Sequence, residues 1–230
     1  MRQIFSFFVL TFLLAWGGTG LLPAQAQGAL ISEWPRGMVV LNDGDTIRGP
    51  LTYYRAEDLI QVQAPDGSVQ AFAPVNVYAF TVSSGRNARR QVFRTHMWNR
   101  GKDYSDFKSP AFFEQLSREG QYSLVKRESV VRRDMNQEMM FRRGMYRYDP
   151  YMMGAPMMGP RFVEQVKDHF FLLSPDGKIQ ALRNPKKDLL SAFDDKSRQV
   201  KSFIKENNIT FTTSQDLIRV IAFYNSLVDL

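Results

Sequence analysis

The chain contains no cysteine, which excludes disulfide bonds, thiolate nucleophiles, iron–sulfur clusters and cysteine-ligated zinc. Only two side chains, His96 and His169, titrate near neutral pH as ordinary bases. The sequence also lacks a Gly-x-Ser-x-Gly elbow, a His-Glu-x-x-His helix and a phosphate-binding loop. These absences disfavour an enzyme, and we expect neither catalytic residues nor a cofactor.

Long apolar runs are absent after residue 26, so the sequence predicts no membrane-spanning helix there. The first 26 residues have instead the three parts of a signal peptide. Arg2 supplies the positive charge, an apolar run extends from Ile4 to Trp16, and Pro23-Ala24-Gln25-Ala26 offers a small-x-small cleavage site. We expect a mature chain that begins near Gln27 and is exported without an anchor, to the periplasm or the exterior.

Acidic residues are in deficit, because 30 Lys and Arg face 23 Asp and Glu and leave a formal charge of +7. Outside the cytoplasm a basic surface meets anionic lipids, acidic glycans and acidic proteins before it meets nucleic acid. We therefore expect an envelope protein or an anionic envelope polymer as partner, and no nucleic acid. The alternative is a solvated face that only keeps the protein soluble. The arginines concentrate between residues 86 and 147: Arg86, Arg89, Arg90, Arg94, Arg100, Arg118, Arg127, Arg132, Arg133, Arg142, Arg143 and Arg147.

Short alternating segments separated by turn residues predict a β-rich module over residues 27–82. Asn42-Asp43-Gly44-Asp45 and Pro65-Asp66-Gly67 are typical of tight hairpin turns, and Gly49-Pro50 predicts a bend or bulge. The strands are expected at 38–41, 46–54, 59–64, 69–73 and 75–82. Five short strands in so few residues indicate a small curled sheet or an SH3-like barrel.

The rest of the chain predicts further β structure and a helical tail, and the whole an α+β protein. Residues 83–131 read as a mixed α/β segment, with strands at 91–95 and 121–131 and a short helix at 110–118 capped by Ser109. Residues 162–183 read as a β hairpin turned by Pro175-Asp176-Gly177. Residues 184–230 have helical periodicity, with Asn184-Pro185 and Thr213-Ser214-Gln215-Asp216 as start signals, and predict two or three amphipathic helices.

Two stretches resemble a family of exported bacterial proteins of unknown function. The first is the N-terminal hairpin Leu41-Asn42-Asp43-Gly44-Asp45-Thr46-Ile47-Arg48-Gly49, and the second is the tail that ends in Tyr224-Asn225-Ser226-Leu227. The resemblance implies an envelope or secreted location and brings no catalytic residues with it. The hairpin is also similar to that of Sm-like barrels, but the expected export argues against an RNA role.

Residues 132–161 break all periodicity and contain eight of the eleven methionines, from Met135 to Met158. One interpretation is a flexible insertion between two strands, kept irregular by its glycines and prolines. A second is an adaptable partner surface, because Met repacks easily and Arg and Tyr are enriched at binding hot spots. A third is a Cu(I) site, since thioethers are soft ligands. The partner-contact candidates are Arg142, Arg143, Tyr146, Tyr148 and Tyr151, and the Cu(I) candidates are Met152, Met153, Met157 and Met158.

Overall fold

A computed structural model describes residues 31–85, 88–101, 106–134 and 162–228 of the chain. The predicted signal peptide lies outside these ranges. So do residues 135–161, which are most of the Met-, Arg- and Tyr-rich segment 132–161, called the Met/Arg/Tyr segment below. The strands are β1 (Ile31–Leu41), β2 (Thr46–Tyr54), β3 (Leu59–Gln63), β4 (Val69–Phe72), β5 (Val77–Ser83), β6 (Gln91–Trp98), β7 (Ser109–Gln115), β8 (Ser123–Asp134), β9 (Phe162–Leu173) and β10 (Ile179–Ala181). The helices are α1 (Pro185–Ala192), α2 (Ser197–Glu206) and α3 (Ser214–Val228), with short 3₁₀ turns at Pro74–Asn76 and Asp194–Lys196.

All ten strands form one antiparallel sheet, in the order β10-β9-β8-β7-β6-β5-β1-β2-β3-β4. The three helices follow the sheet in sequence. The predicted α+β class with a curled antiparallel sheet is therefore confirmed in its coarse form. The predicted β-rich module, the strands of residues 83–131 and the 162–183 hairpin are parts of this single sheet.

The N-terminal half of the sheet curls so that its inner face packs on itself. Tyr53 of β2 makes edge-to-face contacts with Phe80, Phe93 and Phe112, at ring-centroid distances of 5.9, 6.0 and 5.9 Å. Phe112 belongs to β7, which lies four strands away from β2 in the sheet order. Only a strongly curved sheet brings these strands together, because neighbouring strands are separated by about 4.8 Å.

The predicted turns are confirmed, and the irregularity near Gly49 takes a different form from the one expected. The backbone N–H of Asp45 donates to Asp43 Oδ1 at 3.0 Å, and Gly67 has a φ of +85°. Gly49 stays within β2, while the register shift lies on the partner strand β1 between Trp34 and Gly37. The bulge in β1 thus lies opposite Gly49-Pro50 of β2, the pair of residues that predicted an irregularity.

The predicted helix at 110–118 is wrong, because residues 110–115 belong to strand β7 and the three that follow are not helical. Phe112 packs in the inner cluster with Phe80 and Phe93, whereas Phe113 packs on the opposite face with Val125 and Phe171. Both faces of β7 are covered, so its apolar residues do not alternate with polar ones. Pro110 fits at the second position of the strand instead of the first turn of a helix.

The tail forms the predicted amphipathic helices and packs against the C-terminal half of the sheet. Leu124 of β8 and Leu172 of β9 share a core with buried residues of all three helices, including Leu189, Val200 and Ile221. The start signals are confirmed, since Asn184 accepts from the Lys187 N–H and Thr213 accepts from the Asp216 N–H. No helix in the described part of the chain has the length and apolar character needed to cross a membrane.

Candidate functional site

The longest paired feature of the sheet is a two-stranded ribbon made by β8 and β9. The two strands pair over twelve positions, from Ser123 opposite Leu173 to Asp134 opposite Phe162. The neighbouring strand β7 pairs with β8 only through Glu114 and Gln115. The part of β8 from residue 127 onwards is therefore paired with β9 alone. At about 3.3 Å per residue this free ribbon is about 25 Å long.

The ribbon determines where the Met/Arg/Tyr segment leaves and rejoins the fold. Asp134 and Phe162 are directly paired, so residues 135–161 depart from and return to adjacent backbone positions. The predicted partner-contact residues and the predicted Cu(I) ligands, including Arg142 and Met152, all lie outside the described residues. Their own arrangement stays a prediction, while their point of attachment is fixed by the ribbon end.

Arg127 joins the base of the ribbon to the rest of the sheet. Its Nη1 donates to the Phe112 carbonyl at 2.8 Å, at a position of β7 that has no register partner on β8. The same nitrogen forms an ion pair with Asp58 Oδ2 at 3.0 Å. Its guanidinium also lies 5.4 Å from the centroid of the Trp98 ring. Arg127 thus fills the gap between β7 and β8 and reaches the β2–β3 turn.

Asp58 is nearly buried and is held by a second partner besides Arg127. The Tyr53 hydroxyl donates to Asp58 Oδ1 at 2.7 Å. Burial, followed by the Asp58 carboxylate, raises the pKa of Tyr53 far above its ordinary value. The phenol therefore stays protonated and keeps its role as a donor.

A second group of charges lies on the other face of β8. Lys126 Nζ is 2.9 Å from Glu114 and 3.1 Å from Glu128, and Glu128 is also paired with Arg55. Burial alone would lower the pKa of Lys126, but its bonds to the two glutamates raise the pKa above its usual 10.5. Burial would likewise raise the pKa of Glu128, and Lys126 and Arg55 lower it below its usual 4.5. Lys126 and Glu128 therefore both remain charged around neutral pH.

Sequence reasoning missed this network. Lys126 and Glu128 alternate along β8 and so share a face, a pattern visible in the sequence once the strand is assigned. Their partners could not be found in this way. Arg55 lies 73 positions from Glu128, and Asp58 lies 69 positions from Arg127.

The two histidines lie on different strands and do not form a common site. His96 is on β6, where burial followed by the Arg94 charge lowers its pKa; its Nε2 is buried without a hydrogen-bond partner among the described residues. His169 is on β9, where its Nε2 lies 2.8 Å from Ser129 Oγ. No carboxylate orients this imidazole in the described contacts, although a serine nucleophile with a histidine base needs such a third group. The Ser129–His169 contact is a diagonal contact between the two strands of the ribbon, because Ser129 lies directly opposite Lys167 and His169 opposite Arg127.

A cavity lies beside the end of β6 and is open to solvent. It has a volume of about 660 Å³ and is lined by Trp98 together with Lys108, Lys178 and Arg183. Two carboxylates, Asp176 and Asp188, also line it, but both accept local hydrogen bonds from turn or cap residues. Within the described ranges no group of three or more His, Cys, Asp or Glu side chains is arranged to hold a metal ion.

No family model, curated protein or solved structure matches this chain. The resemblance to exported bacterial proteins of unknown function therefore stays a prediction. Evidence on function comes from the ribbon, from the charges at its base and from the surfaces around it.

Proposed function

We propose that the protein is an exported, non-enzymatic binding module of the bacterial envelope. In this proposal the ribbon presents residues 135–161 to a partner, either an envelope protein or an anionic envelope polymer. The observation that carries it is the pairing of Asp134 with Phe162 at the ribbon end. The contact residues are proposed to be Arg142, Arg143, Tyr146, Tyr148 and Tyr151.

The ion pairs at the start of the ribbon support this role, because they fix the orientation of the ribbon relative to the rest of the sheet. An isolated two-stranded ribbon is marginally stable in water and bends easily. Here Arg55 holds Glu128, and Asp58 holds Arg127, on the two faces of the same strand. A binding segment carried on a rigid arm loses less conformational freedom when it meets its partner, which favours affinity.

We also propose that β1–β5 form an SH3-like module, as five short strands in so few residues indicate. In support, β1 pairs with both β2 and β5, so the fifth strand returns beside the first. The 3₁₀ turn Pro74–Asn76 makes the connection from β4 to β5. The signal peptide and the envelope location belong to the same proposal and rest on residues 1–26.

Replacing residues 135–161 with Asn-Gly tests the binding role. A two-residue turn of this type closes an antiparallel ribbon, so the variant should fold and unfold like the parent. Capture of crosslinked partners from intact cells should be lost. A full-length control carries glutamine at Arg142 and Arg143 and serine at Tyr146, Tyr148 and Tyr151; it should lose capture as well. Undiminished capture by the shortened protein would contradict the proposal.

Cu(I) binding is the second candidate function, and the clustering of Met152, Met153, Met157 and Met158 favours it. A Cu(I) titration of the same two proteins separates it from partner binding. Affinity tighter than micromolar in the parent, absent from the shortened protein and kept by the Arg/Tyr control, would support copper. Weaker binding in the parent would remove this candidate.

A further inference from the structure

A groove between α1 and α2 is lined by positively charged side chains, whereas the cavity beside Trp98 is lined by charges of both signs. Its volume is about 520 Å³, and it lies on the surface of the helical layer. Among the described residues no Asp or Glu lines it. Its lining consists of three lysines, three branched aliphatic residues and one amide: Lys186, Lys201, Lys205, Leu190, Ile204, Ile209 and Asn208.

The local sequence builds this groove rigidly at the end of α2. Asn208 adopts a left-handed conformation with φ of +49°, and its N–H donates to the Lys205 carbonyl at 3.3 Å. The next N–H, of Ile209, donates to the Ile204 carbonyl at 3.0 Å. This is a Schellman motif, and its hydrophobic contact places Ile209 against Ile204. Both isoleucines are buried, so they form the apolar floor of the groove.

Helix energetics favour Lys205, which lies in the last turn of α2 at the negative end of the helix dipole, but they do not explain Lys186 and Lys201. Lys186 lies in the first turn of α1, where the positive end of the helix dipole disfavours a cation. Lys201 and Lys205 are four residues apart on α2, and like charges at this spacing repel each other. None of the three forms an ion pair within the described part of the chain. A bound anion would relieve all these unfavourable interactions together.

We infer that this groove binds the headgroup of an anionic phospholipid at a bilayer surface. A lysine ammonium is a compact point charge that suits a phosphate, and its stem can lie along apolar surface. The aliphatic floor suits the boundary between headgroup and acyl chains. An acidic polymer would need a longer cationic track and would make no use of this floor. The site is separate from the ribbon and does not depend on the function proposed for it.

Binding of the full chain to vesicles tests the inference. Vesicles that contain phosphatidylglycerol should bind the protein more strongly than vesicles of phosphatidylcholine alone. The neutral vesicles also measure any contribution of the apolar N-terminal run. The test variant is Lys186→Gln/Lys201→Gln/Lys205→Gln. Each lysine near an anionic surface contributes about fivefold to partitioning, so this variant should lose about a hundredfold of the phosphatidylglycerol-dependent part.

A matched control removes the same charge elsewhere, at the exposed residues Lys108, Lys167 and Lys178. The control should keep most of its vesicle binding. Loss as large as that of the test variant would overturn the inference, because binding would then follow net charge alone. Equal binding to both vesicle types would also overturn it. Displacement by polyglutamate at equal charge would identify an acidic polymer instead, and displacement by millimolar inorganic phosphate would identify a free-phosphate site.

The test variant also answers whether the lysines serve only the fold. The variant removes the Lys201–Lys205 repulsion and the dipole mismatch of Lys186, which offset the loss of the favourable Lys205–dipole interaction, so its melting temperature should stay close to that of the parent. A clear fall in melting temperature together with lost binding would mean that the lysines are structural, and would count against the inference.

Discussion

At the scale of single residues, Gly49 shows most directly how close backbone approach constrains the sequence. A Cβ atom built at this position would lie 1.7 Å from the Gln63 carbonyl oxygen. Neither atom has room to move, because Gly49 is in β2 and Gln63 is at the end of the adjacent strand β3. Glycine is needed at position 49 because a side chain would clash with the backbone of Gln63, and not because the φ angle is unusual.

We therefore predict that Gly49→Ala destabilises the protein by about 2–3 kcal/mol. The added methyl group must push β2 away from the end of β3, which weakens the packing of the curled half. The control is Gly85→Ala, since a Cβ there meets nothing within 4 Å. Urea unfolding of both variants at neutral pH measures the difference. Equal stability of the two variants would contradict the assigned close approach.

At the scale of elements, the sequence predicted most strands in which one face was more polar than the other. It missed residues 31–37 of β1, and it failed at β7, where both faces are buried. Residues 75–82 alternate and were assigned as a strand, now β5. Phe112 and Phe113 are adjacent and fully buried on opposite faces of β7, so no alternation marked them. The ion pairs that hold the ribbon were also invisible, since their partners Arg55 and Asp58 both come from the β2–β3 turn. Local sequence patterns indicate which residues form strands, whereas these long-range ion pairs depend on how the sheet curves.

The ribbon base gives a pH-dependent prediction. The pKa of Glu128 is lowered in the fold, so its contribution to stability is present above its ordinary pKa of 4.5 and is lost as the pH falls through the lower, folded value. The pKa of Lys126 is raised, so its contribution is present below 10.5 and is lost as the pH rises through the higher, folded value.

Glu128→Gln should cost about 2 kcal/mol at pH 7 and should reduce the loss of stability below pH 4.5.

Urea unfolding of parent and variant between pH 3 and pH 7 measures this effect. Glu119→Gln is the matched control, because the Glu119 carboxylate pairs with Arg94 while 66% exposed. A surface pair of this kind contributes about 0.2–1 kcal/mol at most. If Glu128→Gln and the parent lost stability in parallel below pH 4.5, Glu128 would not be ionised more strongly in the fold than in the unfolded chain.

At the scale of the whole molecule, the Asn225 side chain adds a pair of hydrogen bonds to the apolar core that the helical layer shares with the sheet. Asn225 of α3 accepts from the Tyr122 N–H at 2.9 Å and donates to the Tyr122 carbonyl at 2.8 Å, as a neighbouring strand would. Beside it, Tyr224 stacks on Phe193 with ring centroids 4.0 Å apart. The Tyr224-Asn225-Ser226-Leu227 stretch is thus a packing motif. The sequence indicated its importance through a resemblance but offered no sign that it contacts the start of β8.

Asn225→Leu should therefore separate the helical layer from the sheet. The substitution keeps a side chain of similar size but leaves the Tyr122 N–H and carbonyl without partners, at a cost of about 3 kcal/mol. Limited proteolysis should then cut within 184–228 before the sheet is degraded, because the tail opens while the curled half keeps its own core. Ser226→Ala is the control, since its hydroxyl donates to the Phe223 carbonyl within α3. A single cooperative unfolding transition, with sheet and tail cleaved at the same rate, would mean that the two layers fold as one unit without this contact.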